Sequence, residues 1–358
     1  MLKRLHLRNF TVFEDADFAF GPGLNVLVGA NGTGKSHVLK VGYLTARVTA
    51  KILNDDLLSN DKPNWRRYVG QRLTDLFQSE ELGKLVRWSK KKSVASVDVT
   101  FGLASPEHLV FEFTSSTKQF DPFETNSISV RNYPKKVNLS RAIFIPPKEV
   151  LTLAWLRSIY EKRSLPIDDT YPSLVELLFE IPVRKTDPAV AKPLELLEKI
   201  LGGAIETQGE RFYLVSKQRR LDINLVAEGV RKFAMLARLL HNGVLVPSNP
   251  VFWDEPEANL NPALLKDMAA VLTELAKAGF QVILATHSLF LMKELHILAQ
   301  QHQKPVRYFG LSAGAGGAVT VATADNLELL PDIVALDAEL DQSDRFQRVL
   351  DQEDANGN

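Results

Sequence analysis

The sequence predicts an α/β fold organised around a largely parallel sheet. Three short runs carry that expectation: Leu24–Val28, Val251–Trp253 and Gln281–Ala285. Their apolar residues follow one another instead of alternating with polar ones, so each run reads as a strand covered on both faces. The first two are each followed by a turn and a helical pattern, the third leads to Thr286-His287-Ser288, and strands that alternate with helices assemble into parallel sheets.

The other elements follow in chain order. Leu2, Leu5 and Leu7 nearly alternate with Lys3, Arg4, His6 and Arg8, which suits a strand; Met1–Phe10 lacks the apolar core of a signal peptide. Phe18–Phe20 reads as a second strand and Pro22-Gly23 as a turn. After Ser36 the pattern becomes helical. Residues 53–92 read as polar helix, and Val97–Leu103 and Leu109–Phe113 as strands. Arg141–Ile145 is an apolar run stopped by Pro146-Pro147. Residues 148–202 read as short helices broken by Pro166, Pro172, Pro182, Pro188 and Pro193, with no sustained heptads and hence no long coiled coil. Residues 203–215 suggest a hairpin and Glu228–Leu240 a helix. Asn261 and Pro262 make an N-cap with proline at the first helical position. The buried stripe of that helix is Leu265, Met268, Leu272 and Leu275, and Gly279 ends it.

The 358 residues suffice for one large domain or two ordinary ones, and 45% hydrophobic and 24% charged residues suit a soluble globular chain. Formal net charge is zero, so nucleic-acid binding through bulk charge is excluded and any DNA contact falls to local patches. With no cysteine there are no disulfides, thiolate metal sites or cysteine nucleophile. No apolar stretch approaches the ~20 residues that span a bilayer. A cytoplasmic location without membrane contact is expected. Asp351–Asp354 reads as a solvated tail.

Gly29-Ala30-Asn31-Gly32-Thr33-Gly34-Lys35-Ser36 matches G-x-x-x-x-G-K-[ST] at every required position, between an apolar strand and a helix. Glycines permit the turns that point backbone N–H groups at phosphate, and the helix adds its positive end. Lys35 would neutralise the β- and γ-phosphates of ATP, and Ser36 would ligate Mg²⁺. Asp254 and Glu255 follow the strand Val251–Trp253. Alone they read equally as a helix-capping pair. Downstream of a phosphate loop, Asp254 reads as a metal ligand and Glu255 as the base that polarises the attacking water.

Here the chain resembles a family. Asp254-Glu255-Pro256-Glu257-Ala258-Asn259-Leu260-Asn261-Pro262 resembles the Walker B and D-loop segment of ABC-type ATPases, most closely the RecF-like and OLD-type bacterial variants. Leu7-Arg8-Asn9-Phe10 with Gly23–Gly32 resembles the N-terminal pattern of SMC and RecF proteins, and Ala285-Thr286-His287-Ser288 the switch-histidine segment. The resemblance covers roughly residues 1–45 and 225–295. It implies a P-loop NTPase of the ABC-ATPase head type, with a β-rich N-terminal lobe and a helical insert. It further implies that His287 senses the γ-phosphate, that Arg8 and Asn9 touch nucleotide, and that Asn259 and Asn261 lie in the D-loop. Arg8 and Asn9 read equally as a surface pair at a strand end.

Two departures stand out. The signature segment that reads the opposite subunit's ATP aligns with Ala227, Glu228 and Gly229, where the family's serine is Ala227. That removes a side-chain hydrogen bond to a charged group, worth roughly 1.5–3 kcal/mol. Arg231 and Lys232 read either as compensation or as solvated helix charges. At the Q-loop position stands Phe144-Ile145-Pro146-Pro147-Lys148-Glu149, without a glutamine.

Basic clusters occur at Lys84, Arg87 and Lys90–Lys92 around Trp88, at Arg131, Lys135 and Lys136, and at Lys217, Arg219 and Arg220. They read as solvated faces or as phosphate contacts. Trp88 reads as a base-stacking residue or, the commoner place for tryptophan, a core residue. The expected plan is one ABC-ATPase head over 1–358. Residues 1–52 and 225–325 form its nucleotide-binding core, 53–224 the β-rich lobe and helical insert, and 326–358 a C-terminal helix and acidic tail. The resemblance implies a homodimer or higher homo-oligomer that sandwiches two ATP molecules. It extends to stand-alone ATPases that serve Septu-type and retron-associated anti-phage systems beside a separate effector nuclease. The alternatives are a RecF-like repair ATPase and a catalytically weak ATP-binding scaffold. A transporter subunit fits poorly, since no Leu-Ser-Gly-Gly-Gln signature is present.

Overall fold

A computed structural model describes residues 1–54, 62–89, 92–102, 106–118, 128–139, 141–160, 167–183, 187–314, 317–331 and 334–356. Three sheets organise them. The first is antiparallel, ordered β2-β1-β4-β5-β6, from β1 (Leu2–Phe10), β2 (Phe13–Ala19), β4 (Val94–Phe101), β5 (Glu107–Thr114) and β6 (Ser129–Asn132). The second has six strands, ordered β14-β13-β3-β12-β11-β7. Its strands are β3 (Leu24–Gly29), β7 (Ile143–Ile145), β11 (Val251–Asp254), β12 (Val282–Thr286), β13 (Val306–Ala313) and β14 (Val319–Ala324). The pairs from β13 through β7 are parallel, and β14 lies antiparallel on β13. The third sheet, β10-β9-β8, is formed by β8 (Ala204–Gln208), β9 (Arg211–Val215) and β10 (Arg220–Asp222); β8 and β9 are the expected hairpin.

The parallel sheet is covered on both faces, as its unbroken apolar strands require. Leu27, Phe252, Ile283 and Ala285 point to one side. They meet α1 (Lys35–Leu53) and the apolar face of the antiparallel sheet. Val26, Val28, Trp253, Val282 and Leu284 point to the other. There they meet α4 (Thr170–Leu178), α6 (Glu228–His241), α7 (Pro262–Lys277) and α8 (Leu289–His302). The remaining helices are α2 (Lys62–Phe77), α3 (Leu156–Tyr160), α5 (Ala191–Leu201) and α9 (Val334–Asn356). Pro172 and Pro193 sit in the first turns of α4 and α5, where no backbone donor is lost. No helix among the described residues is long and apolar enough to cross a membrane.

Several expectations change. The second strand is Phe13–Ala19, not Phe18–Phe20, because Phe13, Ala16 and Phe18 extend the buried alternation back to the turn. Among the described residues of 53–92, helix is confined to the end of α1 at Leu53, to α2 and to a 3-10 turn at Leu82–Leu85; residues 55–61, 90 and 91 lie outside the described residues. The expected partition also cuts across the sheets. β1 and β2, from the 1–52 segment, pair with strands of the β-rich lobe, while β7, from the 53–224 segment, completes the parallel sheet beside β11. Gln281 helps to join the two sheets: its side chain accepts from Leu2 N–H at 2.9 Å and donates to Leu2 O at 2.7 Å and Gly21 O at 2.9 Å.

The insert is tied to α1 by charge. Lys40 pairs with Asp168 at 2.5 Å, and Asp169 takes Arg47 at 2.5 Å and Arg72 at 2.9 Å. Asp169 is 3% exposed, so both guanidiniums serve a carboxylate that would be costly to bury unpaired.

Candidate nucleotide site

The parallel register fixes the site. Val28 at the end of β3 stands beside Thr286 on β12, and Asp254 on β11 stands beside Ala285. The phosphate-loop sequence, the acidic pair and the histidine therefore leave adjacent strands at one edge, where α/β sheets bind ligands.

Gly34 caps α1 in the left-handed region (φ 87°), and a Cβ there would lie 2.7 Å from both Val12 and Phe13. Only glycine satisfies both the backbone and the close approach. The helix thus begins with a first turn free of acidic side chains, its N–H groups open to an anion. Lys35 is 7% exposed and donates to Gly29 O at 2.7 Å and Ala30 O at 3.0 Å. Burial pulls its ammonium below the ordinary lysine range, against the opposing charges of Asp254, Glu255 and Glu257. Thr33 closes the loop through its hydroxyl to Ala30 O at 2.8 Å. Asn31 and Gly32 form the exposed crest.

Asp254 is 6% exposed, and burial pushes its carboxyl up, countered by a hydrogen bond from Ser36 and the charge of Lys35. Its Oδ1 is buried without a hydrogen-bond partner. A hydroxyl beside an under-satisfied carboxylate oxygen fits Mg²⁺. Among the described residues no cluster of three His, Asp or Glu side chains could hold a metal alone. The remaining ligands would be phosphate oxygens and water, the usual manner of Mg²⁺.

Glu255 follows in a left-handed conformation (φ 46°), its N–H donating to Ala285 O at 2.9 Å. Its carboxylate lies 3.5 Å from His287 Nδ1. Glu257, absent from the sequence-based set, is 7% exposed and accepts from the Thr286 hydroxyl at 2.7 Å and the His287 N–H at 2.9 Å. Its sequence signal is its place in the Asp254–Pro262 segment, three residues after Asp254. Burial pushes the Tyr171 phenol up, and the charges of Asp168 and Asp254 add to the shift.

Arg8 and Asn9 are engaged along the antiparallel sheet. Arg8 pairs with Asp15 at 3.5 Å and Asn9 donates to Val94 O at 3.2 Å. The residues of their hairpin that touch the phosphate loop are Val12 and Phe13.

The signature segment starts α6 at Ala227, with no side-chain cap. Gly229 packs against the D-loop of its own chain: a Cβ there would lie 2.9 Å from Asn259 O. Glu228 accepts from Asn259 Nδ2 at 2.9 Å. Asn261 caps α7, accepting from Leu264 N–H at 2.9 Å as expected. Arg231 and Lys232 are not solvated charges. Arg231 Nε lies 2.8 Å from Glu149, a carboxylate 2% exposed at the Q-loop position. Lys232 is 1% exposed and donates to Glu255 O at 3.1 Å and Pro256 O at 3.3 Å. Each cation has a partner on the sheet side of the helix, which keeps it from water.

Trp88 is 81% exposed, contrary to a core place, because Leu82, Leu85 and Val86 take the inward positions of that segment. Lys90 and Lys91 lie outside the described residues. Arg131 pairs with Glu112, and Arg220 lies 4.1 Å over the Tyr213 ring.

A family model described as "AAA domain, putative AbiEii toxin, Type IV TA system" matches residues 24–293, from the start of β3 into α8. The chain belongs to this AAA family. A second AAA-domain model matches residues 4–40. Among curated relatives, the DNA replication and repair protein RecF of Edwardsiella ictaluri and that of Citrobacter koseri are each 55% identical over 42 residues. Those matches span 12% of this chain and 12% of each relative. Among solved structures, the Smc head domain of Pyrococcus furiosus bound to the C-terminal domain of ScpA aligns with TM-score 0.52 at 13% identity, covering 92% of this chain and 97% of that one. An SmcHead bound to the C-winged helix domain of ScpA gives 0.51 at 16% identity, covering 92% and 98%. The fold of this AAA-family chain is that of an SMC-type P-loop ATPase head.

Proposed function

We propose that this chain binds ATP with Mg²⁺ and hydrolyses it as one half of a nucleotide-gated homodimer. The observation that carries the reading is the convergence of Lys35, Ser36, Asp254, Glu255 and His287 at one edge of the parallel sheet, with Asp254 Oδ1 buried and unpartnered. Phosphate oxygens would replace the Gly29 and Ala30 carbonyls on Lys35. Ser36 and Asp254 would hold Mg²⁺, whose charge would screen the β- and γ-phosphates. Glu255 would accept the proton of the attacking water, and His287, 3.5 Å away, would report the γ-phosphate. The start of α6, where Ala227 is exposed and Gly229 is buried against Asn259, would meet the partner subunit's ATP through backbone N–H groups alone. ATP would favour the closed dimer and hydrolysis would reopen it, a population shift set by differential affinity.

The biological role we assign is regulation of a DNA-related process, with anti-phage defence beside a separate effector nuclease as the leading form. The toxin–antitoxin description of the family supports that form. The 42-residue match to RecF favours a second reading, a repair ATPase that meets DNA directly. A weakly hydrolysing ATP scaffold is the outcome in which Ala227 leaves closure too weak for turnover.

ATP hydrolysis by the purified chain, with and without double-stranded DNA and with Lys35→Ala as the blank, tests the reading. Turnover above the blank is expected. No turnover despite ATP binding would leave the scaffold, and stimulation by DNA would move the repair reading ahead. Light scattering with Glu255→Gln and ATP should show the dimer mass; a single mass with and without nucleotide would overturn the gate.

A further inference from the structure

Lys232 spends its charge unusually. Among the described residues its ammonium forms no ion pair, and its hydrogen bonds go to two main-chain carbonyls, Glu255 O at 3.1 Å and Pro256 O at 3.3 Å. A lysine 1% exposed is costly to bury, and an apolar side chain of similar length would pack there at less expense. The carbonyls belong to the turn leaving β11. That turn holds Glu255 at φ 46°, a left-handed conformation that a residue bearing Cβ rarely adopts. Its N–H side is fixed by Ala285 O. Its carbonyl side is fixed by Lys232 together with the Ala258 N–H, which donates to Glu255 O at 3.1 Å. The same helix grips the next residues of the turn, through Glu228 on Asn259 and Gly229 against Asn259 O.

We infer that Lys232 is a positioning residue for hydrolysis: its ammonium, clamped on the carbonyls of Glu255 and Pro256, holds the left-handed turn that aims the Glu255 carboxylate. The inference rests on the reading of Glu255 as the group that activates water. It makes α6, whose start would read the partner subunit's ATP, the same body that orients the carboxylate in its own site.

The test compares the full chain with Lys232→Met, Lys232→Arg, Glu255→Gln and the Lys232→Met/Glu255→Gln pair. It measures kcat and KM for Mg-ATP, equilibrium binding of a fluorescent ATP analogue, and thermal melting. Lys232→Met should lose about a hundredfold in kcat, the scale of a one-ångström misplacement, with KM and analogue affinity nearly unchanged. Lys232→Arg, which keeps a buried donor, should recover part of the loss. The double variant should be no slower than Glu255→Gln, since the lysine acts through that carboxylate. Wild-type kcat in Lys232→Met, or a loss that appears in full on top of Glu255→Gln, overturns the inference. If Lys232→Met does not melt cooperatively, Lys232→Gln is read in the same assays by the same criteria. Should Glu255→Gln itself hydrolyse like wild type, the reading of Glu255 falls and this inference with it. Should Glu255→Gln be inactive while Lys232→Met is not, only the positioning role falls.

Discussion

Glu257 and His287 are joined twice: one carboxylate oxygen of Glu257 accepts the His287 backbone N–H at 2.9 Å and lies 3.4 Å from the ring Nδ1. Glu255 approaches the same ring nitrogen at 3.5 Å from the other end of the turn. The histidine therefore stands between a half-buried carboxylate and a buried one suited to holding it. Glu257→Ala would strip the acceptor from the Thr286 hydroxyl and the His287 N–H, and each buried group left unsatisfied costs roughly 1–3 kcal/mol. Urea unfolding of Glu257→Ala should show a loss on that scale, and Glu257→Gln, which retains an acceptor oxygen, a smaller one. Equal losses in the two would mean that the carboxylate's charge, not its acceptor, matters.

The parallel core was legible because its signals are local. An unbroken apolar strand, a glycine loop and a proline-capped helix each declare themselves within ten residues, and Asn261 caps α7 as its spacing implies. What escaped depends on distant partners. In sequence Arg231 and Lys232 read either as compensation for Ala227 or as solvated helix charges. They turn inward because Glu149 and the Glu255 turn, far away in the chain, lie beneath them. Trp88 escaped for the opposite reason: its neighbours Leu85 and Val86 fill the inward places, and nothing in its own identity announces that. The start of α4 is likewise held by distant partners, since Asp168 pairs with Lys40 and Asp169 with Arg47 and Arg72.

Ala227 offers a gain-of-function test. It occupies the N-cap of α6 with φ −56° and ψ 140°, a geometry open to serine, and contributes no cap hydrogen bond. Ala227→Ser should stabilise the fold by about 0.5–2 kcal/mol through capping. If the start of α6 also reads ATP across a dimer, the added hydroxyl should strengthen nucleotide-dependent dimerisation. Chemical denaturation checks the first effect and light scattering with ATP the second. Stabilisation without tighter dimerisation would separate the cap from the trans contact.

Gly229→Ala sets two effects against each other. Helix propensity favours alanine by about 1 kcal/mol. The new Cβ, however, would stand 2.9 Å from the Asn259 carbonyl and from a Leu260 methyl, so either α6 or the D-loop must move. Backbone cannot yield as a flexible side chain does, and overpacking costs typically 1–3 kcal/mol. A net loss of stability is expected by calorimetry, together with weaker ATP-driven dimerisation. A stabilised variant would show that the helix and the D-loop are not held as closely as their contact implies.

Lys232 should also leave a mark on stability against pH. Burial brings its ammonium down to about 8, against Glu257, Glu228, Glu255 and Glu149, which oppose the shift. An unfolded chain would hold that proton to about 10.4. Between those values the unfolded state binds more protons, so stability rises with pH. Below about pH 8 both states are protonated and the cost of the buried charge is fully present. Lys232→Met has no such group. The stability of wild type relative to Lys232→Met should therefore be flat up to about pH 7.5 and climb as pH passes through 8 towards 10. Taking the difference between the two proteins cancels the α-amino group of Met1 and the tyrosines, which titrate in both. A difference that is flat across the whole range would mean that Lys232 holds its proton as tightly folded as unfolded, and that the clamp on the Glu255 turn carries no desolvation cost.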